Sequence, residues 1–339
     1  MRYKLLGRTG LRVSELCLGT MTFGEDWGWG ASMDVSRQIT EKFREAGGNF
    51  IDTSCNYTNG TSEKFVGEFT KGERDWWVIA TKYTLIENRN NLNTGGNHRK
   101  NMMRSVEGSL RRLQTEYIDL LYLHMWDFTT APEEVLRAVD DLIRHGKVLH
   151  FAFSDTPAWV VSYAVAKADD FGWTRPCAMQ VPYSLADRAI EREVAPMARF
   201  HDMALLPWGV LEAGVLTGKY SDPNNTDPKR NREISDSERA MGEAVVAIAR
   251  EIGRSPAQVA LNWVRQQSGT VIPILGCRKV AHLEDNLGCL EFSLSDDQMA
   301  ALSKISGFRS EFPMGFLRSD GVLSLSLGNL SDKLDIKPI

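Results

Sequence analysis

The chain has 339 residues, of which 42% are hydrophobic and 25% are charged, the balance of a globular protein with a sizeable core. Its formal net charge of −4 and the lack of a long run of Lys and Arg argue against a nucleic-acid partner. No apolar stretch approaches the ~20 residues of a membrane helix, and residues 1–4 lack the apolar core of a signal peptide. We therefore expect a cytoplasmic protein that binds neither nucleic acid nor a membrane.

The predicted elements begin with a β-hairpin over residues 3–13 and continue as a strict alternation of strands and helices. Eight apolar runs predict strands, at residues 16–21, 50–52, 77–82, 118–124, 148–153, 178–181, 203–207 and 271–275. Helical spacing occurs at residues 33–46, 61–70, 99–113, 132–145, 157–170, 190–200, 238–252, 256–267 and 280–286. This alternation, without a second compositional zone, favours a (β/α)8 TIM barrel over an open doubly wound sheet.

We expect a single domain over residues 1–339, with a barrel core at about 15–290, since barrels of this kind commonly form one domain. The extension at 306–339 carries several Phe and Leu residues, so it is predicted to pack back onto the barrel. Residues 221–235 are too polar and too rich in Pro and Asn to pack, which predicts a surface loop before the next helix.

Three of the predicted strands end in ionisable residues. Asp52 follows an apolar pair, and the runs that end in Lys82 and His124 repeat the pattern. Tyr57 lies five residues beyond Asp52, on the loop that leaves that strand. Alone, each residue could be a cap, a snorkelling side chain or a packing residue. Because the carboxyl ends of barrel strands share one mouth, we expect all four side chains to meet there, where a cation beside a phenol favours an acidic tyrosine.

The sequence contains no complete motif for a Rossmann domain, a P-loop or a metal site. No Gly-x-Gly-x-x-Gly occurs between a strand and a helix, which argues against a Rossmann domain. Residues 214–219 resemble a P-loop, but the glycines are one residue too close and Tyr220 replaces the metal-binding Ser or Thr. The six histidines form no metal-binding spacing and the five cysteines no Cys-x-x-Cys, so we expect no metal and free buried thiols.

The chain resembles an aldo-keto reductase, in particular a bacterial NADPH-dependent member, and is also similar to potassium-channel β-subunits of that family. The segments that carry the resemblance are Leu6-Gly7-Arg8-Thr9-Gly10, Leu18-Gly19-Thr20, residues 49–57, Ile79-Ala80-Thr81-Lys82, residues 118–124, Gln180-Val181-Pro182-Tyr183 and residues 276–286. The resemblance covers nearly everything before residue 305, and it implies a (β/α)8 barrel that binds NADPH without a Rossmann motif.

The resemblance implies that Asp52, Tyr57, Lys82 and His124 are the catalytic residues of carbonyl reduction. NADPH would deliver hydride to an aldehyde or ketone carbon while Tyr57 gives a proton to the oxygen. Lys82, held by Asp52, would stabilise the tyrosinate and lower the tyrosine pKa by roughly one to three units. His124 would orient the carbonyl oxygen and help the proton pass.

A cofactor site for NADPH/NADP+ is also implied by the resemblance. Its residues are Gly19, Thr20, Met21, Asp52, Ser154, Asp155, Gln180, Trp208, Gly209, Val210, Leu211, Glu212, Gly214, Lys219, Gly276, Arg278, His282, Asp285 and Asn286. Arg278 beside Lys279 at a helix start suits a 2′-phosphate and favours NADPH over NADH. Two residues depart from the family pattern: Asp155 replaces the usual Asn and His282 the usual Gln. Both substitutions affect the expected cofactor affinity.

Aromatic residues on loops expected at the mouth suggest an aromatic-walled pocket for a small-molecule aldehyde or ketone. These are Trp27, Trp29 and Trp126, with Phe128 beside them; ordinary packing explains them equally well. The alternative function is an NADPH-binding redox-sensing regulatory subunit with slow turnover, since such subunits keep the same four residues. The sequence leaves a homo-oligomer open.

Overall fold

The computed structural model describes residues 1–220 and 233–334. An antiparallel hairpin opens the chain, with β1 (Tyr3–Leu5) paired to β2 (Arg12–Ser14). Its turn needs a glycine at position 7, because φ is +56° and a Cβ there would lie 2.3 Å from the Cys177 carbonyl oxygen. Leu6 and Val13 are buried against the residues inside the barrel, so the hairpin closes the end where the strands begin.

The next eight strands form one parallel sheet that curls into a barrel. They are β3 (Cys17–Gly19), β4 (Phe50–Asp52), β5 (Val78–Tyr83), β6 (Ile118–Leu123), β7 (Val148–Ser154), β8 (Ala178–Pro182), β9 (Ala204–Trp208) and β10 (Ile274–Gly276). Neighbours in the sheet follow chain order, and β10 lies beside β3. A parallel bridge from Leu205 to Val271 links β9 to the segment just before β10. The predicted TIM barrel is therefore confirmed.

Helices surround the barrel and continue beyond it. They are α1 (Met33–Glu45), α2 (Thr61–Thr70), α3 (Arg99–Leu113), α4 (Pro132–Arg144), α5 (Ala158–Phe171), α6 (Val194–Phe200), α7 (Asp236–Glu251), α8 (Pro256–Arg265), α9 (Val280–Leu287), α10 (Asp296–Ile305), α11 (Met314–Leu317) and α12 (Asp320–Leu327). Ser235 and Ser295 accept a backbone N–H at the starts of α7 and α10, as N-cap residues do. Within the described ranges, no helix combines the length and apolarity needed to cross a membrane.

The barrel strands are buried on both faces, which explains why they are continuous apolar runs. Leu121 and Leu123 of β6 pack outward against the helices, whereas Leu120 and Tyr122 point into the barrel. The core therefore has two layers, one between strands and helices and one inside the barrel. The inner layer supports the mouth where the strands end.

Some boundaries differ from the sequence-based prediction. The last strand begins at Ile274 and not at residue 271, because Val271 makes only an isolated bridge. Helix α6 begins at Val194, since residues 189–191 form a separate 3-10 turn. Part of the predicted loop at 221–235, residues 221–232, lies outside the described residues.

The C-terminal extension contacts the barrel helices near its start, and Glu311 forms an ion pair with Arg192 at 3.4 Å. Phe308 lies against the guanidinium groups of Arg188 and Arg192, at 4.9 and 5.3 Å from the ring centre. Phe312 and Phe316 further on are 83% and 57% exposed. The expected packing is thus present at Phe308 and not at these later aromatic residues.

Candidate active site

The four predicted residues meet at the mouth of the barrel. Lys82 Nζ lies 2.6 Å from Asp52 Oδ2 and 3.2 Å from the Tyr57 hydroxyl. It also donates to the Thr53 carbonyl oxygen at 2.9 Å. The His124 ring stands edge-on to the Tyr57 ring, with centroids 5.9 Å apart. The arrangement places a phenol, an ammonium, a carboxylate and an imidazole around one point.

Strand alternation explains why these side chains face inward together. Residues two apart on a strand share a face, and the core inside the barrel contains Phe50, Ala80, Tyr122, Ala152, Ala178 and Leu206. Two positions further along the chain, in the same order, come Asp52, Lys82, His124, Ser154, Gln180 and Trp208. The apolar interior is therefore capped by one layer of polar and aromatic groups, which is the floor of the candidate site.

The buried ammonium is paired on the side away from the mouth. Lys82 is fully buried and Asp52 is 3% exposed, so each charge needs the other. The second carboxylate oxygen, Asp52 Oδ1, accepts from Gln180 Nε2 at 2.8 Å. With both carboxylate oxygens bonded, the ammonium is held under Tyr57.

A tight turn places Tyr57. It starts a 3-10 segment, Tyr57–Gly60, in which Thr58 and Asn59 have positive φ values of 45° and 56°. Such conformations are unfavourable for side chains with a Cβ unless the surroundings hold them. Thr58 supplies that hold, because its hydroxyl donates to the Phe23 carbonyl oxygen at 2.6 Å and accepts the Ser62 N–H at 3.0 Å. The strained turn fixes the phenol over Lys82.

Burial decides the protonation of the phenol. It raises the pKa of Tyr57, and although Lys82 lowers it, Asp52 raises it further, so the net direction is upward. The lowering expected from the sequence is therefore wrong, because the pattern revealed the cation but not the desolvation of the phenol. Burial lowers the pKa of Lys82, but Asp52 and Tyr57 outweigh it and the net shift is upward. Near neutral pH the pair is a phenol beside an ammonium.

His124 is a neutral ring held by two neighbours. Burial, with a smaller contribution from Lys82, lowers its pKa to about 3. Nδ1 lies 3.2 Å from the hydroxyl of Ser54, a residue that the sequence reasoning missed although it belongs to the 49–57 stretch. The backbone N–H of His124 donates to Thr84 Oγ1 at 3.2 Å.

A set of side chains that we call the loop brace joins the segments after β5 and β6. It consists of Thr84, Asn97 and Asp127. Asn97 N–H donates to Asp127 Oδ2 and Asp127 N–H donates to Asn97 Oδ1, each at 2.7 Å. Asn97 Nδ2 donates to Thr84 Oγ1 at 3.0 Å. The loop brace thus supports the hydroxyl that holds the His124 backbone, and its members had no sequence motif to reveal them.

Several predicted cofactor residues line the same rim. Ser154 Oγ is buried without a hydrogen-bond partner among the described residues, so a polar group of a ligand would satisfy it. Burial raises the pKa of its neighbour Asp155, whose carboxylate accepts from the Trp208 indole N–H at 3.3 Å. Gly19 is the last residue of β3, and Met21, two residues further on, is partly open to solvent. The rim therefore offers one unpartnered hydroxyl and one partly exposed indole ring.

Other predicted cofactor residues already have internal partners. Thr20 Oγ1 donates to the Asp52 carbonyl oxygen at 2.9 Å. The Asp285 carboxylate accepts from Ser255 Oγ at 2.9 Å and from Gln258 Nε2 at 3.0 Å, and Asn286 Nδ2 donates to Cys277 Sγ at 3.6 Å. These side chains are therefore held by hydrogen bonds within the chain.

The segments predicted to bind the outer part of the cofactor lie on both sides of the mouth. Residues 209–214 follow β9, with Val210 buried, and Glu212 and Gly214 have positive φ. A Cβ at Gly214 would lie 2.4 Å from Lys219 Cε, so the lysine side chain crosses this glycine. Across the barrel, Gly276 is exposed at the end of β10, and Arg278, Lys279 and His282 are exposed just beyond it.

The aromatic residues predicted to bind the substrate differ in burial: some are exposed and one is buried. Trp27 and Trp29 pack together with ring centroids 5.7 Å apart, and Trp29 is 39% exposed. Phe128 is 74% exposed. Trp126 is 9% exposed and packs in the core between strands and helices, and its backbone N–H donates to the Asp155 carbonyl oxygen at 3.3 Å. Trp126 therefore supports the rim from behind.

Comparison with known proteins identifies relatives along most of the chain. A norsolorinic acid reductase of Emericella nidulans is 40% identical over 322 residues, which cover 91% of this chain and 82% of the relative. A norsolorinic acid reductase of Aspergillus flavus is 38% identical and covers 92% of this chain and 83% of the relative. The aryl-alcohol dehydrogenase (NADP(+)) of Phanerodontia chrysosporium is 38% identical, with 90% and 85% covered.

A family model gives the same assignment. The model of the aldo/keto reductase family matches residues 15–306, which include every strand of the barrel and the four residues at its mouth. Its members are oxidoreductases that act on small-molecule carbonyl compounds with a nicotinamide cofactor. The chain belongs to the aldo/keto reductase family and is an enzyme of this kind.

Proposed function

We propose that the protein reduces aldehydes and ketones to alcohols with NADPH, with Tyr57 as the general acid. The observation that carries the proposal is the position of Lys82 Nζ, 2.6 Å from the Asp52 carboxylate and 3.2 Å from the Tyr57 hydroxyl. An ion pair with only a structural role does not require a phenol beside its ammonium. An acid catalyst does, because the ammonium stabilises the phenolate that remains when the phenol gives up its proton.

The cofactor supplies a hydride to the carbonyl carbon when it is bound. Tyr57 gives its proton to the carbonyl oxygen, and the raised pKa of this phenol keeps the proton in place until negative charge develops on that oxygen. Lys82 stabilises the phenolate that remains, and Asp52 keeps the lysine in position. His124 borders the same point as a neutral ring.

We assign the nicotinamide end to the rim formed by Ser154, Asp155, Gln180 and Trp208. The unpartnered hydroxyl of Ser154 supports this assignment. The Trp208 ring also supports it, because the ring is 41% exposed and is held by a hydrogen bond to Asp155. The pyrophosphate would follow residues 209–214 and Lys219. Arg278 and Lys279 would bind the 2′-phosphate, which makes NADPH the preferred cofactor.

An aromatic carbonyl compound is the proposed substrate class. Trp27 and Trp29 offer flat apolar faces at the mouth, and flat rings stack well on such surfaces. The name of one relative supports this class, since that protein is an aryl-alcohol dehydrogenase (NADP(+)).

The test is a panel of aromatic and aliphatic aldehydes and ketones, followed by loss of NADPH absorbance. The proposal predicts many turnovers per enzyme and higher kcat/KM for aromatic members. Trp29→Ala should reduce the advantage of aromatic over aliphatic members, whereas Phe171→Ala, at an exposed position on α5, should not. A single slow turnover with tightly retained NADP+ would instead favour a redox-sensing regulatory subunit.

A further inference from the structure

Thr84 directly follows β5 and has a backbone conformation that is unusual for its residue type. Its φ is +103°, and a positive φ is a genuine outlier for a β-branched side chain. Glycine would adopt this conformation without strain. A strained residue other than glycine persists only where its surroundings hold it, and such residues cluster at functional sites. The strain therefore directs attention to what the Thr84 side chain does.

Contacts on both sides hold Thr84 in this conformation. The residue is 4% exposed, and its carbonyl oxygen accepts the Gly96 N–H at 2.7 Å and Asn101 Nδ2 at 3.5 Å. Its hydroxyl oxygen accepts from Asn97 Nδ2 at 3.0 Å and from the His124 backbone N–H at 3.2 Å. The hydroxyl is thus the point at which the loop after β5 contacts the backbone of His124.

The orientation of the Asn97 amide is fixed by backbone groups. Its Nδ2 also donates to the Met125 carbonyl oxygen at 2.9 Å, and its Oδ1 accepts the Asp127 N–H at 2.7 Å. Because a backbone carbonyl only accepts and a backbone N–H only donates, the amide cannot turn over. Asn97 therefore donates to Thr84 Oγ1 and holds that oxygen in reach of the His124 N–H.

His124 needs such a contact because it lies just beyond the paired part of its strand. Leu123, the last residue of β6, is paired with Tyr83 of β5. The His124 N–H reaches the Tyr83 carbonyl oxygen only at 3.3 Å, and Thr84 Oγ1 is its second acceptor. A shift of the backbone here would carry the imidazole away from the Tyr57 ring, which it contacts edge-on.

We propose that Thr84 is a positioning residue for the reaction. Its strained backbone places its hydroxyl oxygen at the His124 N–H, and this contact sets where the imidazole stands relative to the Tyr57 hydroxyl. The proposal rests on the proposed function, because it assigns His124 to the site of carbonyl reduction. It also explains why a threonine occupies a position where glycine would be free of strain.

Three substitutions of Thr84 separate positioning from stability. Thr84→Ser keeps the oxygen and should keep the wild-type kcat for benzaldehyde. Thr84→Ala and Thr84→Gly lack it, and each should lower kcat by roughly threefold to tenfold, the effect of one hydrogen bond, with unchanged NADPH affinity. Thr84→Gly should nevertheless unfold at a higher urea concentration than Thr84→Ala, because only glycine is unstrained at this φ. A purely structural role would make activity follow stability, so higher kcat in Thr84→Gly than in Thr84→Ala would overturn the proposal.

The matched control is Gln114, an exposed residue with φ of +53° that ends α3. Gln114→Gly should likewise unfold at a higher urea concentration than Gln114→Ala. Both variants should keep the wild-type kcat, because no contact joins Gln114 to His124 within the described residues. A loss of kcat in Gln114→Ala equal to that in Thr84→Ala would show that strain alone affects turnover, and it would contradict the proposal.

A measurement without turnover tests the contact itself. In the full chain labelled with 15N in its histidines, the backbone amide signal of His124 is identified by its loss in His124→Gln. Its proton shift should change in Thr84→Ala and Thr84→Gly and should stay near the wild-type value in Thr84→Ser. An unmoved signal in both variants that lack the oxygen would overturn the proposal. The expected shifts in a protein that reduces no carbonyl compound would support the positioning of His124 by Thr84 and would contradict the proposed function instead.

Discussion

The Lys82 ammonium lies 3.2 Å from the hydroxyl of Tyr57, at the open side of a buried ion pair. The phenol is itself desolvated, and burial raises its pKa more than the lysine lowers it. The two effects have separate uses in an acid catalyst: the first keeps the proton on the phenol in the resting enzyme, and the second stabilises the phenolate once the proton has left.

Removing the lysine should cost stability as well as activity. Lys82→Met leaves Asp52 buried beside Gln180 without its cation, and breaking such a pair costs about 3–5 kcal/mol of unfolding free energy. Urea denaturation measures the loss. The double variant Lys82→Met with Asp52→Asn should recover much of it while remaining inactive.

The matched control is an exposed ion pair. Lys167 and Asp170 lie 2.9 Å apart with partly exposed side chains, and Lys167→Met should change the unfolding free energy by less than about 1 kcal/mol. Equal losses of unfolding free energy in Lys82→Met and Lys167→Met would show that burial does not make the Lys82–Asp52 pair more costly to break than an exposed pair.

Acid should destabilise the fold through His124. The pKa of this ring is about 3 in the folded protein against an ordinary 6.5, so between these values the unfolded chain binds a proton that the folded protein does not. The stability that neutral His124 contributes is therefore fully present above its ordinary pKa of 6.5. It is lost as the pH falls toward the pKa of the folded protein, about 3. The unfolding free energy should drop by about 2 kcal/mol between pH 7 and pH 5 from this source.

Urea denaturation at the two pH values, on the wild type and on His124→Asn, isolates this contribution. The variant should show a smaller drop, and His145→Asn, at an exposed position, should keep the full one. The same pH dependence in His124→Asn and the wild type would exclude His124 as its cause.

Asp155→Asn should improve cofactor binding and alter the pH profile. The amide keeps an oxygen for the Trp208 indole N–H and adds donors for a carboxamide. It also removes a negative charge that raises the pKa of Tyr57, so the alkaline fall of kcat/KM should move to lower pH. NADPH titration by tryptophan fluorescence and a pH–rate profile measure the two effects. A weaker NADPH affinity together with an unmoved alkaline limb would count against the assigned position of Asp155.

Cofactor preference should depend on Arg278 and Lys279. Both are exposed at the start of α9, and a charged hydrogen bond to phosphate stabilises by about 1.5–3 kcal/mol. Arg278→Ala should therefore lower kcat/KM with NADPH by roughly tenfold to a hundredfold and leave NADH nearly unchanged. Arg89→Ala, at an exposed position on the loop after β5, is the control. Equal efficiencies of the wild type with both cofactors would refute the preference.

Much of the fold follows from local patterns. The apolar runs that end in Asp52, Lys82 and His124 are strands because both of their faces are buried, and parallel strands bring their ends to one mouth. The same alternation explains Ser154 and Gln180, since each stands two residues beyond an interior alanine. Their meeting could therefore be anticipated, whereas their chemical roles stay predictions.

What could not be anticipated depends on contacts between distant segments. The upward pKa shift of Tyr57 comes from burial by neighbours that spacing does not reveal. The loop brace joins Asn97 to Asp127 across two loops, and neither residue lies in a motif. Trp126 follows a strand like other mouth residues, yet it is buried in the core between strands and helices.

The most direct test of the central claim is Tyr57→Phe, which removes one oxygen and keeps the ring. NADPH binding, followed by fluorescence titration, should match the wild type, while steady-state reduction of an aromatic aldehyde should fall by about a hundredfold to ten-thousandfold, the usual contribution of a positioned general acid. Wild-type turnover in this variant would contradict the account.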